Sequence, residues 1–197
     1  MNKFKKIFSI LLILMMGTFI AGCKGSKPLV DVIEEETQES SNLTEEFKGE
    51  GNFESLSFKY PSTWLDNGQG YSERVGDDVH SFTNIEGTDK NVITNISILY
   101  VDIVPGTEEE IYNVSVSSAK EFSDNVTTDY MEVNGCKLYG YTASEDSGDY
   151  DVYTTQYLIS KDSKMYGITS TSLVSKDEDN LENIEELKNV LNTVNIN

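Results

Sequence analysis

The amino-acid sequence predicts an α+β fold, a central antiparallel sheet flanked by helices. Three observations lead there. Apolar and polar residues alternate with period two in several short segments. Two turn signals sit between strand-like arms. Two further stretches repeat apolar residues at helical spacing, one interrupting the strands and one closing the chain, the order expected when helices cover an antiparallel sheet.

Taken in chain order, Leu56, Phe58 and Tyr60 alternate with Ser55, Ser57 and Lys59, a strand with one buried face. Pro61 ends it, because proline cannot donate to a ladder. Residues 92–103 alternate at first and turn apolar on both sides near Leu99 and Val101, which predicts a central strand covered on two faces. Thr107-Glu108-Glu109-Glu110 follows Pro105-Gly106 and has the form of a capping box, so a helix is expected from Thr107 to near Asn125, with Ile111, Val114, Ala119 and Phe122 towards the core. Residues 126–133 and 136–143 flank Asn134-Gly135, a dipeptide suited to the two positive φ angles of a tight hairpin. A second hairpin pairs 150–160 with 165–172 across Lys161-Asp162-Ser163-Lys164, and the acidic 145–149 stretch joins the two hairpins. Asp179 and Glu182 offer another capping box, and Leu181, Ile184, Leu187, Leu191 and Val194 trace an amphipathic C-terminal helix.

Ahead of this domain the chain is of a different kind. Lys3, Lys5 and Lys6 give a basic start, and residues 7–19 form an apolar run shorter than the ~20 residues that span a bilayer comfortably, so residues 1–22 read as an export signal. The run ends in Ile20-Ala21-Gly22-Cys23. This tetrapeptide resembles the bacterial lipobox, in which the cysteine thiol receives a diacylglyceryl group and the peptide is cut in front of it. The resemblance implies lipid, palmitate among its acyl chains, on Cys23, and a lipoprotein on the extracytoplasmic face of a cell membrane. Two acyl chains, at ~0.8 kcal/mol per buried CH₂, hold a protein there lastingly.

Residues 23–50 are rich in acids (Asp31, Glu34, Glu35, Glu36, Glu39, Glu45, Glu46, Glu50) and poor in large apolar groups, which predicts a flexible tether. As a coil of about 27 residues it would reach roughly 30 Å, and a hydrophilic spacer of that length suits a Gram-positive envelope. The globular domain is then 51–197.

Within it, Phe58-Lys59-Tyr60-Pro61-Ser62-Thr63-Trp64 resembles the opening signature of the PsbP-like superfamily, where a strand ends in an aromatic, proline, two residues and tryptophan. The resemblance implies a sheet sandwiched between helices with a long C-terminal helix, an α/β/α sandwich. It implies no single activity, since that superfamily serves several. Physically, Phe58, Tyr60, Pro61 and Trp64 read as architecture: Pro61 fixes the chain as it leaves the strand and Trp64 closes one end of the core.

Charge and composition exclude more than they include. The formal net charge is −19 over 197 residues, which repels nucleic acid and anionic head groups. Of two cysteines, Cys23 is committed to lipid, leaving Cys136 without an intrachain partner and best read as a small buried residue. His80 is the only histidine and reads as an ordinary exposed side chain. No zincin, nucleophile-elbow, paired-cysteine or phosphate-loop pattern occurs, so no catalytic residue, metal ligand or cofactor is expected. Glu145, Asp146, Asp149 and Asp151 could in principle hold a Ca²⁺-type cation in an acidic 145–151 loop, although a hydrated charge run is the plainer reading. Asn42, Asn95, Asn113 and Asn125 begin N-x-Ser/Thr triplets that a lipobox makes incidental. Tyr139, Tyr141, Tyr153, Tyr157 and Tyr166 suggest either an aromatic binding face or packing under a helix, with packing favoured. The expectation is a non-enzymatic binding or scaffolding domain that meets a protein or envelope component. A cation-binding module and an enzyme without an identifiable catalytic set are the alternatives.

Overall fold

The computed structural model describes residues 43–73, 76–84, 93–176 and 182–197. The stretch read as an export signal, Cys23, most of the segment read as a tether, Asp179 and Leu181 lie outside them. Among the described residues the order is β1 (Glu45–Lys48), a short 3₁₀ turn at Gly51–Phe53, β2 (Leu56–Tyr60), β3 (Trp64–Ser72), β4 (Asp77–Asn84), β5 (Ile93–Val101), α1 (Glu108–Phe122), β6 (Asn125–Val133), β7 (Cys136–Ser147), β8 (Tyr150–Lys161), β9 (Lys164–Ser175), α2 (Glu182–Leu191) and β10 (Asn195–Ile196).

Two antiparallel sheets form. The larger has seven strands in the order β3-β4-β5-β9-β8-β7-β6, and the smaller has three, β1-β2-β10. Strand alternation sorts the large sheet's side chains into two faces. Ile96, Ile98, Leu138, Tyr157, Ile159, Tyr166 and Ile168 point to one face, where they join Phe47, Phe53, Phe58, Trp64, Phe82 and, from α2, Leu187, Val190 and Leu191 in the main core. Leu99, Val101, Leu158 and Met165 point to the other face and meet Ile111 of α1, while Tyr141 and Ala143 meet Val116 and Ala119. The large sheet is therefore sandwiched, with α2 and the small sheet on one side and α1 on the other. Residues fully buried in this way contribute ~1.5–3 kcal/mol each.

The turns follow their chemistry. Asn134 and Gly135 have φ of 52° and 75°, the pair of positive angles that the β6–β7 hairpin needs. Asp162 and Ser163 adopt 49° and 70° at the β8–β9 turn. β5 lies between β4 and β9 with buried residues on both faces, as its sequence predicts.

Several expectations are corrected. The tether does not extend to Glu50: Glu45–Lys48 pair with β2 as β1, because Phe47 inserts at 4 % exposure and stacks on Phe58 at 4.7 Å. One buried aromatic outweighs the acids around it. Thr107 precedes α1 but forms no capping box; its hydroxyl donates to the Val104 carbonyl at 2.7 Å, and Glu108, Glu109 and Glu110 instead complement the helix dipole. Residues 145–151 are not a loop but the two arms of the β7–β8 hairpin, with only Gly148 and Asp149 between them. The 3₁₀ turn and β3, β4 and β10 have no counterpart in the pattern reading: β3 carries Gly68 and Gly70 and a register shift between Asp66 and Gly68, which hides its alternation.

Candidate binding surface

The signature residues are packing residues by position. Phe58 and Trp64 are buried, and Tyr60 stacks on Trp64 at 6.3 Å. Trp64 Nε1 donates to Glu186 Oε1 at 2.5 Å and Asn84 Nδ2 donates to the same oxygen at 3.1 Å, which pins α2 to the edge of the large sheet. His80 departs from the reading as an exposed side chain. β4 aims it inwards, so that its side chain is 13 % exposed, its ring lies 4.8 Å from Phe47 and 5.0 Å from Phe82, and Nε2 sits 2.7 Å from Asp66 Oδ1.

The acidic hairpin is partly compensated by one lysine. The Lys176 ammonium lies 2.6 Å from Asp146 Oδ2 and 4.0 Å from Asp151 Oδ1, and the Gly148 amide donates to Asp146 Oδ1 at 3.0 Å. The Lys176 hydrogen bond, then that amide, hold the Asp146 carboxyl below the ordinary carboxylate range. Among the described residues no three His, Cys, Asp or Glu side chains are placed to hold a metal ion.

On the α2 side a second carboxylate organises the sheet. Asp129 Oδ2 accepts from the Tyr157 hydroxyl at 2.8 Å and from Lys188 Nζ at 3.0 Å, while Oδ1 accepts the Tyr130 amide at 2.8 Å. Burial alone would raise this carboxyl, but the bonds from Tyr157 and Lys188 and the lysine charge outweigh it and hold the pKa low. Burial and the Asp129 charge push the Tyr157 phenol upwards.

Of the five hairpin tyrosines three are buried, and Tyr139 and Tyr153 are half-buried. Tyr141, Tyr157 and Tyr166 are buried, and Tyr141 donates to Gln156 Oε1 at 3.1 Å, whose amide donates to Thr169 Oγ1 at 3.0 Å. Tyr139 stays half-buried on the α1 side. There it meets two tyrosines outside the original five: Tyr130 of β6 at 5.0 Å and Tyr112 of α1 at 5.4 Å between ring centroids. Tyr130 is 49 % exposed. Its hydroxyl donates to Glu132 Oε1 at 2.5 Å, which pushes its pKa up to about 12, and the Tyr112 hydroxyl donates to the Gly140 carbonyl at 2.9 Å. The Asn134-Gly135 turn fixes Tyr130 opposite Tyr139, so this pair was available from the hairpin register; Tyr112 required the docking of α1. The outer flank of α1 is an open, shallow surface that carries Glu109, Glu110, Asn113, Val114, Ser117 and Glu121. The α1 side thus offers the exposed Tyr130 ring, the half-buried Tyr139 and Tyr112 rings and a row of carboxylates, suited to binding a polar or cationic group.

No protein-family model and no curated protein matches the chain. Among solved structures it is similar to a protein from Bacteroides thetaiotaomicron, with a TM-score of 0.49 and 12 % identity over 79 % of this chain and 49 % of that one, so the chain spans about half its length. It is also similar to LpqN, a protein involved in cell envelope biogenesis of Mycobacterium tuberculosis, with a TM-score of 0.45 and 12 % identity over 72 % of this chain and 82 % of that one. Both likenesses are too distant to argue for a shared activity. Among the described residues no helix is long and apolar enough to cross a membrane.

Proposed function

We propose that this chain is an extracytoplasmic lipoprotein, held at the cell membrane through lipid on Cys23, whose domain acts by binding and presents its α1 side to a protein or envelope component. The observation that carries the anchor is Ile20-Ala21-Gly22-Cys23 at the end of an apolar run too short to span comfortably. The arrangement of layers supports the rest. β1, which continues from the residues after Cys23, belongs to the small sheet on the α2 side, so the chain enters the domain on the face opposite α1. The α1 side, with its rings and the acidic flank of α1, is free to face outwards. A PsbP-like identity for the sandwich is the finer reading of the fold and rests on Phe58, Tyr60, Pro61 and Trp64. Cation binding by the 145–151 hairpin is the weaker reading, because the Lys176 ammonium already lies between its aspartates.

Metabolic labelling with an alkyne analogue of palmitate, followed by membrane fractionation, tests the anchor. The full chain should carry label and sediment with membranes, and Cys23→Ala should lose both while its domain melts unchanged. A cytosolic, unlabelled protein with its leader uncut would refute the proposal.

A further inference from the structure

We propose that the Tyr130–Tyr139 ring pair, extended by Tyr112 and edged by the Glu132 carboxylate, is the docking point for an arginine or lysine side chain in an exposed segment of a partner protein. This rests on the reading of the domain as a binding module and names the chemistry of its partner.

The rings form a contiguous row, 5.4 Å from Tyr112 to Tyr139 and 5.0 Å from Tyr139 to Tyr130. β6 is an edge strand, which leaves the last ring of the row open to solvent on one flank. A cation over a tyrosine face is drawn by the ring quadrupole. Here two of the phenols are already engaged as donors, Tyr112 to the Gly140 carbonyl and Tyr130 to Glu132, and a phenol that donates its hydrogen enriches its ring in electrons. Glu132 adds a full negative charge beside Tyr130. The chain's net charge of −19 extends that potential over long range, which selects a cation over an anion and opposes a second copy of the same chain. Strand addition at this edge would have to displace the bond from the Tyr130 amide to Asp129 Oδ1 at 2.8 Å. Lys137 faces Glu132 in register and is the built-in competitor for the same carboxylate.

The test uses the full mature chain in detergent and a fluorescein-labelled peptide, Gly-Arg-Gly-Arg-Gly, read by anisotropy at about 0.15 M salt, where surface attraction beyond roughly 8 Å is screened. Its citrulline counterpart, which keeps the shape and removes the charge, should bind at least several-fold more weakly. Tyr130→Ala should weaken the arginine peptide by about two- to fivefold, the range for an exposed cation–ring contact. Tyr130→Phe should weaken binding less than Tyr130→Ala does, Glu132→Gln should weaken it, and Lys137→Ala should strengthen it. Tyr71→Ala, at a still more exposed tyrosine on β3, should leave it unchanged. Equal binding of the citrulline peptide, equal effects at Tyr130 and Tyr71, or displacement by tetramethylammonium at lower concentration than by arginine methyl ester would overturn the proposal. Loss of the docking point with Cys23 still lipidated removes this inference alone and leaves the anchor standing.

Discussion

Gly140→Ala tests whether the main core and the Asp129 cluster are one mechanical unit. Gly140 lies in β7 opposite Tyr157, and a Cβ placed there would overlap the Tyr157 ring. That ring is 1 % exposed, so it has no free volume into which to retreat. Overpacking of this kind costs about 1–3 kcal/mol. Any shift of the ring also withdraws its hydroxyl from Asp129, a bond to a charged acceptor worth about 1.5–3 kcal/mol when fully lost. Replacing glycine returns about 0.4–1 kcal/mol by restricting the unfolded chain. The expected net loss is about 2–4 kcal/mol, or about 5–15 °C in melting temperature for a domain of this size. Urea unfolding read through Trp64, the only tryptophan and 4 % exposed, measures it directly. In a Tyr157→Leu background the same substitution should cost less than about 1 kcal/mol, because the atoms it meets are gone. Equal costs in the two backgrounds, or no cost in the wild type, would refute the packing argument.

Further outcomes follow from half-buried Asp129 and buried Cys136. Because the Asp129 pKa is lowered in the folded state, its contribution to stability is fully present above the ordinary carboxylate value of 3.8 and is lost as pH falls through the lower folded value. Asp129→Asn should therefore lower the urea midpoint at neutral pH and flatten its decline below about pH 4, and an unchanged acid slope would contradict this. Cys136 is fully buried and burial pushes its thiol pKa up. It should resist a chromogenic disulfide reagent in the native protein and react once in denaturant, and Cys136→Ser should cost about 1–3 kcal/mol by burying a hydroxyl.

The candidate surface was half legible in sequence. Tyr139 was among the tyrosines singled out, and the two-residue turn at Asn134-Gly135 sets its partner as Tyr130. What could not be read was which tyrosines stay outside. Tyr139 and Tyr141 share a face of one strand, yet Tyr141 is covered by Val116 and Ala119 of α1 while Tyr139 remains half-buried against Tyr112. That difference depends on where α1 crosses the sheet. His80 was misread for a related reason, since its inward face is defined only when the small sheet brings Phe47 and Phe53 over β4.

Local patterns by themselves determined the hairpins β6–β7 and β8–β9, the central strand β5, the two helices and the lipobox-like segment, because each depends on residues close in the chain whose alternation, turn angles or spacing are fixed by backbone geometry. Only the tertiary structure decided that Phe47 draws the end of the acidic segment into a second sheet, that Lys176 pairs with Asp146 of the acidic hairpin, that Glu186 of α2 receives Trp64 and Asn84, and that Asp129 joins Tyr157 to Lys188. These pairings are long-range, and their energy exists only once the layers have packed, so no window of sequence contains them.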